Sequence, residues 1–157
     1  MKIILLLIGK TTDKNIQKLT DKFSDRLKHY CKFESIVIPE LRNRKNLSIE
    51  MQKIREAEEI LKKIQPSDEV ILLDERGKDF TSEGFSKWLE NHLNSGKKRM
   101  VFIIGGPFGF AEEIRNRSNQ QLALSKMTFT HEMIRPFFVE QLYRAFSIMN
   151  NEAYHHK

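Results

Sequence analysis

The chain has 157 residues, 39% of them hydrophobic, and carries a net charge of +6 from 27 basic and 21 acidic side chains. That length suits one domain burying about 68–70% of the surface its unfolded chain exposes. Its one cysteine, Cys31, excludes an internal disulfide and a zinc cluster, and no metal site is expected.

The first apolar run, Ile3 to Ile8, is too short to span a bilayer and lacks the long apolar region and cleavage site of a signal peptide, so a cytoplasmic protein without a membrane partner is expected. The charge is uneven. Residues 1–65 hold 15 Lys/Arg against 9 Asp/Glu, whereas residues 66–157 hold 12 of each. With Arg42, Arg44 and Lys45 in one polar segment, this excess suits a phosphate-bearing partner.

Lys2 to Ile8 reads as a first strand, left through Gly9-Lys10-Thr11-Thr12. Asp13 is a candidate N-cap for a helix reaching about His29, because Ile16, Leu19, Phe23 and Leu27 recur at helical spacing. Phe33 to Ile38 is a second strand, stopped by Pro39, and Glu40 to Leu47 a basic surface loop. Ser48 caps a second helix carrying Ile54, Ala57, Ile60 and Leu61, ended before Pro66.

Glu69 to Leu73 is a third strand, and Asp74 to Lys78 a polar turn at its carboxyl end. Thr81 or Ser82 caps a helix with Phe85, Trp88, Leu89 and Leu93 on one face, closed by Gly96. Met100 to Ile104 is apolar without alternation, the pattern of a central strand covered on both faces. Gly105, Gly106 and Gly109 follow, giving a strand, a glycine turn and a helix start, the arrangement at which open α/β sheets bind ligands. The spacing is neither G-x-G-x-x-G nor G-x-x-x-x-G-K-[ST], which disfavours a dinucleotide fold and a P-loop.

A short helix to Arg117, a brief strand over Gln121 to Leu124 and a loop from Ser125 to His131 come next. Met133 to Asn150 forms the last helix, with Pro136 tolerated in its first turn. Phe137, Phe138, Val139, Leu142, Tyr143, Phe146 and Ile148 surround nearly its whole circumference, which calls for a second surface to cover it, most simply another copy of the chain. The alternation of strands and helices predicts an α/β fold on a parallel sheet.

LLDERGK at 72–78, FIIGGPFG at 102–109, LALSKMTFTHEMIRPFFVEQLYRAFSI at 122–148 and the tail EAYHHK at 152–157 resemble the RlmH family of SPOUT methyltransferases, end to end. The resemblance implies methyl transfer from S-adenosylmethionine to N3 of a pseudouridine in large-subunit 23S ribosomal RNA, on the assembled ribosome. It implies a single SPOUT domain over residues 1–157, tied into a C-terminal trefoil knot, and a homodimer paired through the last helix with the active site at the interface. The cofactor is then expected between Leu73, Gly105 and the segment Leu124, Ser125, Lys126, Met127, Thr128 and Phe129. Gly105 and Gly106 permit close backbone approach, and Leu73, Leu124, Met127 and Phe129 offer apolar walls.

N3 methylation requires loss of an imino proton. His155 or His156 is the candidate acceptor, since histidine titrates near neutral pH. Tyr154 is expected to orient or stack on the base, and Arg144, with Arg135 as a second candidate, to hold a phosphate or the uracil carbonyl. Arg144 also stands four residues after Glu140, the spacing of a helical ion pair. Two alternatives stay open: a SPOUT enzyme acting on tRNA, and a non-catalytic ribosome-binding assembly factor.

Overall fold

The computed structural model describes residues 1–155. Its elements are β1 (Lys2–Ile8), α1 (Lys14–Leu27), β2 (Lys32–Ile38), α2 (Ile49–Leu61), β3 (Glu69–Lys78), α3 (Ser82–Leu93), β4 (Arg99–Ile104), α4 (Glu112–Arg117), β5 (Gln120–Leu122) and α5 (Ile134–Met149), with a 3₁₀ turn at Arg44–Asn46. The sheet has the order β2-β1-β4-β3-β5 and every pair is parallel. Parallel strands need crossovers, and each here carries a helix.

The caps act where the side chains allow. Asp13 Oδ1 accepts from the amides of Asn15 at 2.7 Å and Ile16 at 3.1 Å, starting α1. Ser48 Oγ accepts from Met51 N for α2, and Thr81 Oγ1 from Gly84 N for α3, so Thr81 and not Ser82 is the cap. Each such bond satisfies one of the four free amides at a helix start.

Two cores flank the sheet. On one face Leu5, Ile71, Phe102 and Met100 pack beneath α1, α3 and α5; on the other Leu6, Val70, Leu72, Val101 and Ile103 pack beneath α2 and α4. Both faces of β4 are therefore dry, which is why its apolar residues run without alternation. Trp88 packs among Phe80, Phe85 and Phe102 and is a core residue.

Two elements depart from the sequence expectation. The polar stretch Asp74 to Lys78 is not a turn but the continuation of β3, which skips register so that both Leu73 and Lys78 pair with Leu122. Gly77 makes the close approach possible: a Cβ there would lie 2.5 Å from the backbone of Gln121 and Leu122. The brief strand is Gln120–Leu122 instead of 121–124, although the amide of Ala123 still donates to Lys78 O at 2.9 Å. Polar side chains hid an extension of β3 that one glycine allows to pack against β5.

Candidate active site

The carboxyl ends of β3 and β4 and the segment after β5 enclose a cleft of about 600 Å³. β3 contributes Leu73 to Arg76, the glycine turn Ile104 to Phe110, and the last segment Leu122, Leu124, Ser125 and Met127 to His131, with Ile134 of α5 closing one side. Of the eight residues expected around the cofactor, Leu73, Gly105, Leu124, Ser125, Met127, Thr128 and Phe129 line this cleft. Lys126 does not; its exposed side chain lies 3.8 Å from Asp79 on the outside of the loop.

The walls are fixed by polar contacts that composition alone did not single out. Arg115 donates to Asp74 Oδ2 at 2.6 Å and to Gln121 Oε1 at 3.0 Å, clamping the end of β3 to β5. Burial works against charge on Asp74, but the amide of Arg76 and the Arg115 guanidinium outweigh it and hold the carboxyl below its usual range. Thr128 Oγ1 donates to Glu75, and Met127 N to Ser125 Oγ at 2.9 Å, so the last loop is pinned to β3 and to itself. The sequence signal for this clamp was present: two acids directly after an apolar strand.

The glycines divide their work. Gly105 lines the cleft, and a Cβ there would press on the Phe110 ring at 3.1 Å. Gly106 also makes room for the buried carboxylate of Glu56, whose oxygens would stand 2.9 and 3.0 Å from an added Cβ. Gly109 adopts φ +76°, where other residues are strained.

Tyr154, His155 and Arg144 come together, but elsewhere. Arg144 donates to Glu140 Oε1 at 2.5 Å, the same oxygen accepts from the Tyr154 hydroxyl at 2.9 Å, and the guanidinium lies 4.7 Å over the Tyr154 ring. Arg144 Nη1 donates to His155 Nδ1 at 3.4 Å, and His155 Nε2 stands 2.9 Å from Glu83 Oε1 at the start of α3. Burial first, and then Glu140, push the Tyr154 hydroxyl up from its ordinary range, which keeps it a neutral donor. His156 lies outside the described residues.

None of the three lines the cleft. Ile134 at the cleft and Arg144 at the cluster are separated by ~15 Å along α5 at 1.5 Å per residue. Arg135 is corrected outright: it is 0% exposed and donates to His131 O, Thr11 Oγ1 and Ile8 O at 3.0, 2.8 and 2.8 Å. It is a buried latch between β1 and α5, with no donor turned to a substrate. Among the described residues, no three His, Cys, Asp or Glu side chains are grouped to hold a metal ion, and no helix is long and apolar enough to cross a membrane.

A parallel α/β sheet whose cleft is closed by the loop after its last strand is matched by comparison with known families: the chain belongs to the SPOUT methyltransferases, the family described as "Predicted SPOUT methyltransferase" matching residues 1–155. Among its relatives, the protein named Ribosomal RNA large subunit methyltransferase H of Christiangramia forsetii is 53% identical over 157 residues, covering 100% of both chains. Proteins of the same name from Phocaeicola vulgatus and Flavobacterium johnsoniae are each 51% identical over the same full length.

Proposed function

We propose that this protein methylates N3 of a pseudouridine in 23S ribosomal RNA on the assembled ribosome, as a cytoplasmic homodimer of single SPOUT domains whose C-terminal segment forms the family's trefoil knot. The observation that carries the proposal is the gathering of seven expected cofactor residues around one cleft, in a chain about half identical, end to end, to proteins named for large-subunit rRNA methylation.

The cleft suits S-adenosylmethionine in size and in chemistry. Leu73, Leu124, Met127 and Phe129 offer apolar walls, the Gly105 backbone permits close approach, and Ser125 and Thr128 bring hydroxyls. Held by these residues, the cofactor would supply an electrophilic methyl group for N3, leaving S-adenosylhomocysteine. His155 accepts the N3 proton, Tyr154 positions the base, and Arg144 holds both side chains and offers its remaining donors to a carbonyl or phosphate.

One chain separates these groups from its own cleft, so a second copy completes the site. Phe108, Met127, Phe129, Met133 and Phe137 are exposed around the cleft mouth and the first turns of α5. Phe129 and Phe137 already pack at 5.3 Å. Pairing two α5 helices antiparallel covers this patch and sets each tail at the other chain's cleft.

Incubating the protein with methyl-labelled S-adenosylmethionine and ribosomes from a strain lacking this activity tests the proposal. Label is expected at one pseudouridine of the large-subunit RNA; folded protein that leaves ribosomes unlabelled refutes it. Label on purified tRNA instead supports the tRNA alternative. An assembly factor without chemistry shows no heat with S-adenosylmethionine or S-adenosylhomocysteine in calorimetry.

A further inference from the structure

At the opposite end of the sheet from the cleft, where the strands begin, the surface holds a second concavity of about 880 Å³. Lys2, Lys28, His29, Lys32, Lys97 and Lys98 line it, and among the described residues no carboxylate does. The strand register builds this concentration. Lys2 of β1 stands opposite Lys32 of β2 on one side and Arg99 of β4 on the other, and the Lys2 amide donates to Lys98 O at 2.8 Å.

Like charges side by side on neighbouring strands repel one another. Partners outside the rim relieve only part of this: Lys2 pairs with Glu34, Lys28 with Asp25, Lys97 with Glu69 and Arg99 with Asp68. Among the described residues Lys32 and Lys98 have no ion-pair partner. The helix ends here do not account for the cations either, because each C-terminus carries only about half a negative charge. A fold that sets lysines side by side in a concave surface, against its own stability, is arranged for an anion.

The wall of this concavity also leads to the tail. Tyr30, which lines it, donates to Glu152 Oε2 at 2.5 Å and stacks on Phe146 of α5 at 5.7 Å. Glu152 is three residues before His155. Lysines are compact, flexible point charges, suited to successive phosphates along a strand and not to the planar bidentate recognition that arginine gives.

We infer that this basic concavity is a second RNA-binding site, taking the phosphodiester backbone of ribosomal RNA as it leaves the Tyr154–His155 cluster. The inference rests on the rRNA-methylating function proposed above. It adds a binding surface that makes no contact with the reacting atoms and supplies affinity by counterion release.

The test measures binding of large ribosomal subunits across a salt series for the wild type, for K32E/K98E and for K14E/K18E, which changes net charge equally on the exposed face of α1. Two lost phosphate contacts should make the log–log salt slope of K32E/K98E shallower by about 0.7–0.9 per contact and weaken binding several-fold at low salt. Calorimetry should find its S-adenosylmethionine affinity unchanged. A slope equal to the wild type, or an equal loss in K14E/K18E, overturns the inference. Should K32E/K98E melt early, K32Q/K98Q is measured in its place with the same criteria. Wild-type protein that binds subunits with the expected slope but transfers no methyl group refutes the proposed reaction and leaves the pocket standing.

Discussion

Arg144 Nη1 donates to His155 Nδ1 at 3.4 Å. Arginine has no lone pair to offer, so Nδ1 accepts and Nε2 carries the hydrogen facing Glu83. Both ring nitrogens are then engaged, and with this tautomer the ring takes a substrate proton only at Nδ1, by exchanging Arg144 for the N3–H group.

That exchange makes His155 separable from cofactor binding. His155→Ala should lower kcat by about 10²–10⁴-fold, the usual contribution of a positioned proton acceptor. Calorimetry should give an unchanged S-adenosylmethionine affinity. Equal losses in turnover and affinity would place the acceptor elsewhere.

The proposed sharing of one site between two chains predicts complementation. His155→Ala lacks a working tail, and Gly105→Leu lacks a working cleft. Each alone should be inactive, whereas reassorting the two at random should restore roughly one quarter of wild-type activity, since half the dimers are mixed and each has one intact site. Activity that stays at zero in confirmed heterodimers would mean each chain uses its own tail.

Arg135 predicts a stability loss without an RNA phenotype of its own. Arg135→Met leaves Ile8 O, Thr11 and His131 O short of donors in a dry site, and charged hydrogen bonds contribute about 1.5–3 kcal/mol each. Chemical denaturation should show a loss of about 3 kcal/mol or more. A variant as stable as the wild type would remove the latch from the account.

Gly77 predicts the dependence of the cleft on β3. Gly77→Ala drives a methyl group into the backbone of Gln121 and Leu122 and should cost about 1–3 kcal/mol in denaturation. S-adenosylmethionine binding should fall with it, because the β3–β5 seam carries one wall of the cleft. Gly96→Ala has open space and suffers only its φ of +78°, so it should cost about 1 kcal/mol and leave binding intact. Equal effects of the two variants on binding would contradict the role given to the seam.

Asp74 gives the acid limb. Its carboxyl is held below the ordinary value of about 3.9, so its stabilisation is complete above that pH and is lost as pH falls through the lower folded-state value. Asp74→Asn should therefore narrow the stability difference between pH 6 and pH 3 measured by denaturation. A variant with the wild-type pH dependence would show that the Arg115 clamp does not act through this carboxylate.

Much of this was visible in the residues because local rules and global packing agree. The uninterrupted run Met100 to Ile104 announced a strand dry on both faces, and Asp13 and Ser48 marked helix starts that became real caps. The extension of β3 was not visible, since Asp74-Glu75-Arg76-Gly77-Lys78 has turn composition and pairs only through a register skip with β5. Arg135 was misread for a similar reason: a charge in the mostly apolar first turns of α5 looks like a site, and only the fold reveals three backbone and hydroxyl acceptors waiting for it. The row of lysines at the strand starts needs the register of three strands distant in sequence, which spacing along one chain does not encode.

The sixteen residues of α5 act as a ruler. Its first turn touches the cleft and its later turns carry the tail cluster, so in the proposed dimer its length sets how far each tail reaches toward the other chain's cleft. One extra residue in its middle would turn everything downstream by about 100° and advance it by ~1.5 Å, aiming the tail at solvent. Four extra residues would nearly restore the phase yet overshoot by ~6 Å, and the tail of the proposed dimer would then miss its neighbour's cleft.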